Sequence, residues 1–340
     1  MSNDRHRGYR GRALEVLKSF GVGVWGVAKV HTARGTFEGL ILPRSETFDD
    51  LHIVLKLDSG YNIGVAVDTI TNMTESGIRK ADYRIPEKEV PRNEELPDVK
   101  LFGTGGTIAS RLDYRTGAVI PSFSPGELNG AVPELASICN LDTEKLFGVF
   151  SENMAKDQYI GTAIAIGKAI EDGYKGIVIG HGTDTMHHTA SILSFMVQGS
   201  PIPIVMVGSQ RSSDRPSSDA ALNLIHAMRT AGHGDIAEVL VCMFGPTSDE
   251  YGLLHRGTRV RKMHSSYRST FRTIGDIPVA MVNRDDVIPL RDDYLRRRDD
   301  RKVTIDAVYD ERVTLLWFYP GMNPDIMKAC VDMGYRGIII

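Results

Sequence analysis

Four short apolar runs, each closing on a glycine, constrain this chain more than any other feature. They are VKLFG (99–103), GIVIG (176–180), IPIVMVG (202–208) and EVLVCMFG (238–245). Continuous apolar runs of this length are what strands buried on both faces look like. Between them lie stretches of helical period, such as YIGTAIAIGKAIEDG (159–173) and SSDAALNLIHAMRT (217–230). Strands alternating with amphipathic helices predict a parallel sheet with crossover helices. In such sheets ligands bind beyond the carboxyl ends of the strands. The glycine-rich ends of the four runs are therefore where chemistry is to be sought.

The flanks have a different texture. The segments VAKVHT, TFEGLIL, HIVLKL and YNIGVAV alternate apolar with polar, and turns fall at Ala33-Arg34-Gly35 and Asp58-Ser59-Gly60. This predicts hairpin strands that close into a small β-barrel or bent sheet to protect their edges. IPEKEVPRNEELPD (85–98) has three prolines and many charges, the composition of a linker. Near the end, Thr314 to Tyr319, the helical stretch NPDIMKACVDMG and a final GIII predict one more αβ unit, broken off within a strand. The expected division is a barrel domain over 1–84, a linker over 85–98, an α/β domain over 99–295, and the start of a truncated C-terminal α/β domain over 296–340. No internal repeat or low-complexity segment interrupts it.

Composition removes several classes. With 42% hydrophobic and 24% charged residues, the chain is neither disordered, collagen-like nor a coiled coil. Forty Lys and Arg against 43 Asp and Glu give no overall basic excess of the kind that marks a nucleic-acid binder. Cys139, Cys242 and Cys330 are too scattered for a disulfide framework or a zinc ribbon. No apolar run approaches the roughly 20 residues of a membrane span, and the expected location is the cytoplasm.

Four segments could carry chemistry. FGTGGTIAS (102–110) has the strand, glycines and helix start of a phosphate loop. However, GxGxxG counted from Gly103 meets Ile108 instead of glycine, and no P-loop lysine follows. What remains is a loop that displays the Thr107 hydroxyl, or a plain helix N-cap. GHGTDTMHH (180–188) holds three histidines, but not at HExxH spacing, so no metal site is expected. Its Thr183 and Asp184 are a hydroxyl and a carboxylate facing the crevice, or again helix caps. The polar loop GSQRSSDRPSSD (208–219) reads as a buried network or an interface, with the network favoured. In RGTRVRKMHSSYRSTF (256–271) a lone Lys262 stands among arginines; it is a proton carrier if its neighbours favour the neutral form, otherwise a solvated charge. Around it, from His255 to Lys302, thirteen Lys and Arg face seven Asp, a surface open to solvent, a partner or an RNA backbone.

Together, TGGTIAS (104–110), HGTDTM (181–186) and the later Lys262 resemble the L-asparaginase family of amidohydrolases from about Val99 onward. SQRSSDRPSSDAALNL (209–224) and LPRSETFDDLHIVLKLDSGYNIG (42–64) are similar to the D subunits of archaeal glutamyl-tRNA(Gln) amidotransferases, which carry an N-terminal barrel that plain asparaginases lack. The resemblance implies that Thr107 and Thr183 are catalytic threonines and that Asp184 and Lys262 handle protons around Thr183. It places Ser151, Glu152 and Gly182 at the substrate, Glu152 standing where glutamine is common. Tyr114 is the nearest residue to the family's lid tyrosine, at a shorter offset from Thr107.

The activity so implied is hydrolysis of glutamine, or asparagine, through an acyl-threonine. Lys262 would act as base, with N–H groups of the Gly105-Gly106 or Gly182 turns holding the oxyanion. The implied partners are an E subunit that carries ATP and Mg, Glu-tRNA(Gln) within the complex, and a second copy of the chain as a dimer. No cofactor or metal is implied in this subunit. A stand-alone L-asparaginase and a non-catalytic RNA-binding scaffold are the alternatives.

Overall fold

The computed structural model describes residues 5–6, 8–44, 49–57, 62–78, 90–105, 110–113, 118–121, 124–211 and 218–340. Thr107, Gly106, Tyr114, the Asp58-Ser59-Gly60 turn, residues 85–89 of the expected linker and residues 212–217 of the polar loop lie outside these.

The N-terminal part begins with a helix that the sequence pattern does not announce, α1 (Gly11–Ser19). Its Ala13 and Leu17, four residues apart, fall on one face and are fully buried. Strands β1 (Gly26–Thr32), β2 (Gly35–Ile41), β3 (His52–Leu57), β4 (Asn62–Ala66) and β5 (Ile70–Ile78) follow. They form an antiparallel sheet in the order β4-β3-β2-β1-β5. The register slips twice along β1–β5, and such bulges add twist and bend the sheet. Its inner face packs Val30, Ile41, Ile53 and Leu55 against α1 as a core of its own.

The larger part starts with β6 (Asp98–Gly103). In place of the helix expected after the glycine loop, the chain makes a hairpin, β7 (Ser110–Asp113) with β8 (Ala118–Pro121). Then come α2 (Pro125–Ala131), β9 (Asn140–Lys145), α3 (Lys156–Glu171), β10 (Gly176–Gly180), α4 (Met186–Met196), the two-residue β11 (Val197–Gln198), β12 (Ile204–Val207), α5 (Ala220–His233) and β13 (Val239–Phe244). Strands β9, β6, β10, β12 and β13 run parallel in that spatial order. The sheet then turns antiparallel through β14 (Gly252–Arg256), with the hairpin β15 (Val260–Lys262) and β16 (Phe271–Thr273) branching off before β17 (Ala280–Val282) and β18 (Val287–Pro289) complete it.

The four apolar runs are thus the centre of an eight-stranded mixed sheet. One apolar cluster lies on the α5 side, with Leu224 and Met228. The other lies on the α3 and α4 side, with Ile166 and Leu193. The apolar LFGVF (146–150) before Ser151 forms no strand. The strand is the preceding NLDTEK (β9), and the backbone N–H groups of Leu146 and Phe147 return to the Gly103 carbonyl at 2.9 and 3.1 Å. After β18 the chain laces back along the domain to β19 (Thr304–Ile305), which pairs with β11. A final βαβ unit follows as foreseen: β20 (Val313–Leu315), α6 (Asp325–Asp332) and β21 (Gly337–Ile339), with its two strands parallel.

Candidate active site

The site is built where β6 and β10 end side by side. Gly103 and Gly180 are opposite each other in the ladder. Just past them, both the backbone N–H and the hydroxyl of Thr104 donate to the Gly180 carbonyl, at 3.1 and 3.0 Å. Thr104 is buried, so this double bond is shielded from water and fastens the two loops together. Gly105 then takes φ +134°, and a Cβ there would stand 2.0 Å from the Val149 carbonyl oxygen, so only glycine lets the coil before Ser151 come this close. A Cβ on Gly182 would lie 2.8 Å from that of Ser151. Glycine spacing thus brings Ser151 against the Gly182-Thr183 turn.

Thr183 and Asp184 do not cap a helix. Helix α4 begins at Met186 with Thr185 as its N-cap, and the Thr185 hydroxyl donates to the Ser151 carbonyl at 2.6 Å rather than capping. Their side chains instead meet Lys262, at the end of β15. Lys262 Nζ lies 2.9 Å from Thr183 Oγ1 and 2.7 Å from Asp184 Oδ1. The lysine side chain is only 6% exposed and the Asp184 side chain 66%, so the amine reaches the pair from the protein interior. A hydroxyl, an amine and a carboxylate in one contact set can pass a proton among them. Ser151 is buried at the start of a short 3-10 turn, while Glu152 is exposed beside it. Of the sequence-predicted residues, Thr183, Asp184, Lys262, Gly182, Ser151 and Glu152 come together around this strand end. Sequence reasoning gives no role to Thr104 or Thr185, whose only signal is a hydroxyl residue at a strand end or helix start.

Comparison with known proteins settles the family. Residues 98–294 match the Asparaginase, N-terminal, family and residues 24–74 the GatD N-terminal domain. The chain is 47% identical to the glutamyl-tRNA(Gln) amidotransferase D subunit of Methanopyrus kandleri, over 98% of this chain and 74% of that protein. The D subunit of Pyrococcus furiosus is also 47% identical, over 97% of this chain and 76% of that protein. The chain belongs to the glutamyl-tRNA(Gln) amidotransferase D-subunit family. Members of this family are subunits, so the chain works within a larger complex. Its fold is asparaginase-like: the thermostable L-asparaginase from Thermococcus kodakarensis superimposes with a TM-score of 0.61 at 29% identity, over 71% of this chain and 69% of that one.

In this D-subunit-family chain the histidines beside the site are held neutral. Burial pushes His181 down to about 4. His187 is also lowered to about 4, by burial first and then by His188, Arg261 and Lys262. The His187 and His188 rings stack with centroids 4.2 Å apart. Among the described residues no three His, Cys, Asp or Glu are grouped so as to hold a metal ion. No helix among them is long and apolar enough to cross a membrane.

The polar loop after β12 is a buried network as far as it is described. The Asp219 carboxylate accepts from the backbone N–H of Gln210 and Arg211 and from the Asn223 amide, which also donates to the Gly208 carbonyl at 3.0 Å. Several arginines of the basic stretch are likewise tied to the domain. Arg256 forks onto Glu238 at 2.6 and 3.0 Å. Arg296 pairs with Asp235, Arg297 donates to the Ala231 and Gly234 carbonyls, and Arg301 donates to that of Ser200. Arg296, Arg297 and Arg301 thus strap the segment after β18 to the domain.

Proposed function

We propose that this chain is the glutamine-hydrolysing subunit of a tRNA-dependent amidotransferase. It splits the side-chain amide of glutamine to supply the ammonia that converts Glu-tRNA(Gln) to Gln-tRNA(Gln). The observation that carries the reading is the contact of Lys262 Nζ with both Thr183 Oγ1 and Asp184 Oδ1 at a parallel-strand end. Its catalytic residues are Thr107, Thr183, Asp184 and Lys262.

One of the two threonines attacks the amide carbonyl. Its hydroxyl proton passes to the Lys262 amine, and a C–O bond forms as the carbonyl becomes an oxyanion. Collapse breaks the C–N bond, and the proton held by Lys262 leaves with the nitrogen as ammonia. Water then cleaves the acyl-threonine to glutamate. Asp184 orients Lys262 and, being mostly exposed, is free to meet the α-ammonium of the substrate. Ser151, Glu152 and Gly182 line the substrate position. Removing one oxyanion donor from such a site typically costs about 3–4 kcal/mol, so the backbone N–H groups of this turn matter as much as the side chains.

The partner in this reading is an E subunit that binds ATP and Mg and acts on the tRNA, with two copies of each chain. This chain itself holds neither cofactor nor metal. It divides into an N-terminal sheet domain (1–84), a linker (85–98), the amidohydrolase domain (99–295) and a C-terminal segment (296–340). The match of residues 24–74 to the GatD N-terminal domain favours the amidotransferase over a stand-alone asparaginase.

The test is ammonia release from glutamine and from asparagine, with and without the partner subunit and Glu-tRNA(Gln). Release from glutamine, raised by partner and tRNA and lost in Thr183→Ala, is expected. Asparagine hydrolysis indifferent to both additions would make the chain a stand-alone asparaginase, and full activity in Thr183→Ala would remove the mechanism.

A further inference from the structure

Between the buried sheet and the Thr183 turn lies one side chain that the mechanism does not use. His181 is 1% exposed, and both its ring nitrogens are taken. Nδ1 lies 2.7 Å from the Gly182 carbonyl oxygen, and Nε2 lies 2.9 Å from Thr189 Oγ1 on α4. The partners fix the tautomer. A carbonyl only accepts, so Nδ1 carries the hydrogen; Nε2 is bare and accepts from the Thr189 hydroxyl. One of the two partners is the carbonyl of the turn that carries Thr183, so the ring also sets that turn.

The consequence follows from the peptide bond. The Gly182–Thr183 peptide is planar and trans, so its C=O and N–H point in opposite directions. With the Gly182 carbonyl directed at His181, the Thr183 N–H points away from that ring, and the Thr183 side chain meets Lys262. No acceptor among the described residues takes that N–H. Thr185 secures the next part of the turn to Ser151 through its 2.6 Å bond. The backbone from 182 to 185 is therefore held at both ends while its central donor is left free.

We propose that His181 is a positioning residue for amide hydrolysis, which locks the Gly182–Thr183 peptide so that the Thr183 N–H stands ready as a donor to the oxyanion. The inference rests on the amidase reading above. It assigns the histidine of the HGTDT stretch to electrostatic stabilisation and not to metal binding or proton transfer.

Two isosteres separate positioning from packing. Asparagine places an N–H near the position of Nδ1, whereas glutamine reaches toward Nε2. In the full chain with its partner subunit and Glu-tRNA(Gln), His181→Gln is expected to lose about 10²-fold in kcat, the usual effect of a lost oxyanion donor, with KM for glutamine changed less than about twofold. His181→Asn should recover most of that loss. In a crystal structure of His181→Gln the Gly182 carbonyl should have rotated away from its inward position, and in His181→Asn it should not.

Equal loss in both variants, no loss in either, or an unmoved peptide in His181→Gln would each overturn the proposal. If His181→Gln does not fold, Thr189→Val serves instead: it frees the ring to swing and should lower kcat without changing KM. If the wild-type protein releases no ammonia from any amide, the functional reading fails, and the peptide orientation in the variants alone decides this one.

Discussion

The lone Lys262 and the arginines that follow it are written in one basic stretch, yet the fold uses them in opposite ways. Lys262 sits at the end of β15 with its side chain buried and its amine on the hydroxyl and the carboxylate of the Thr183-Asp184 turn. Arg256, Arg296, Arg297 and Arg301 spend their N–H groups on carboxylates and backbone carbonyls of the α/β sheet domain. The difference follows from the two head groups. A planar guanidinium with five fixed donors suits carbonyl and carboxylate clamps, whereas a compact amine can exist neutral and carry a proton. A count of charges along the chain does not separate the two uses; the partners do.

The sharpest way to break this comparison is at Lys262. Lys262→Met keeps the alkyl stem and deletes the amine. Ammonia release from glutamine should fall by about 10³-fold, within the range for loss of a general acid–base group. Thermal unfolding should hardly change, because the Thr183 hydroxyl and the exposed Asp184 carboxylate can turn to water. A large fall in melting temperature with modest loss of activity would put Lys262 with the arginines.

That contact is only half legible in the sequence. HGTDTM and the lone lysine stand out separately, but Lys262 comes 79 residues after Thr183, and their meeting depends on the reversal of the sheet at β14. Sequence periodicity gives no sign of that reversal. The four central strands are legible because GIVIG and VLVCMF are buried along their whole length. Strand β9 is not, because at the sheet edge NLDTEK needs no apolar face, and no residue of it is fully buried. Helix α1 escapes notice because its apolar Ala13, Leu14, Val16 and Leu17 span little more than one turn, too short a run for the helical period to stand out. The hairpin after Gly105 replaces an expected helix because glycine followed by a small residue reads alike for a helix start and for a tight approach.

The strap offers the middle-sized effect. Arg297 donates at 2.7 Å to the Ala231 carbonyl and at 3.1 Å to that of Gly234, at the C-terminal end of α5, where carbonyls lack helical partners and a cation is favoured. Burial lowers the Arg297 pKa from its ordinary value, as expected for a guanidinium drawn under the helix. Arg297→Met should cost about 1–3 kcal/mol of stability, the range for stranding acceptors of a charged donor. Denaturant unfolding measures this, and ammonia release per folded molecule should stay at the wild-type level. If the stability is unchanged but affinity for tRNA falls, the arginine faces RNA and not the helix.

The smallest effect belongs to Arg298, which lies beside Arg297 but pairs only with Asp300 two residues on, both side chains well exposed. An exposed ion pair of this kind is worth about 0–1 kcal/mol. Arg298→Ala should therefore leave denaturant unfolding and ammonia release alike within error. Unlike Arg297 it holds no carbonyl, and unlike Arg296 its acid partner lies only two residues away, so its charge is open to a polyanion. Measured against salt, binding of the complex to tRNA decides between the two uses. A shallower salt dependence in Arg298→Ala would give this one arginine a phosphate contact, and an unaltered slope would leave the whole triplet to the strap.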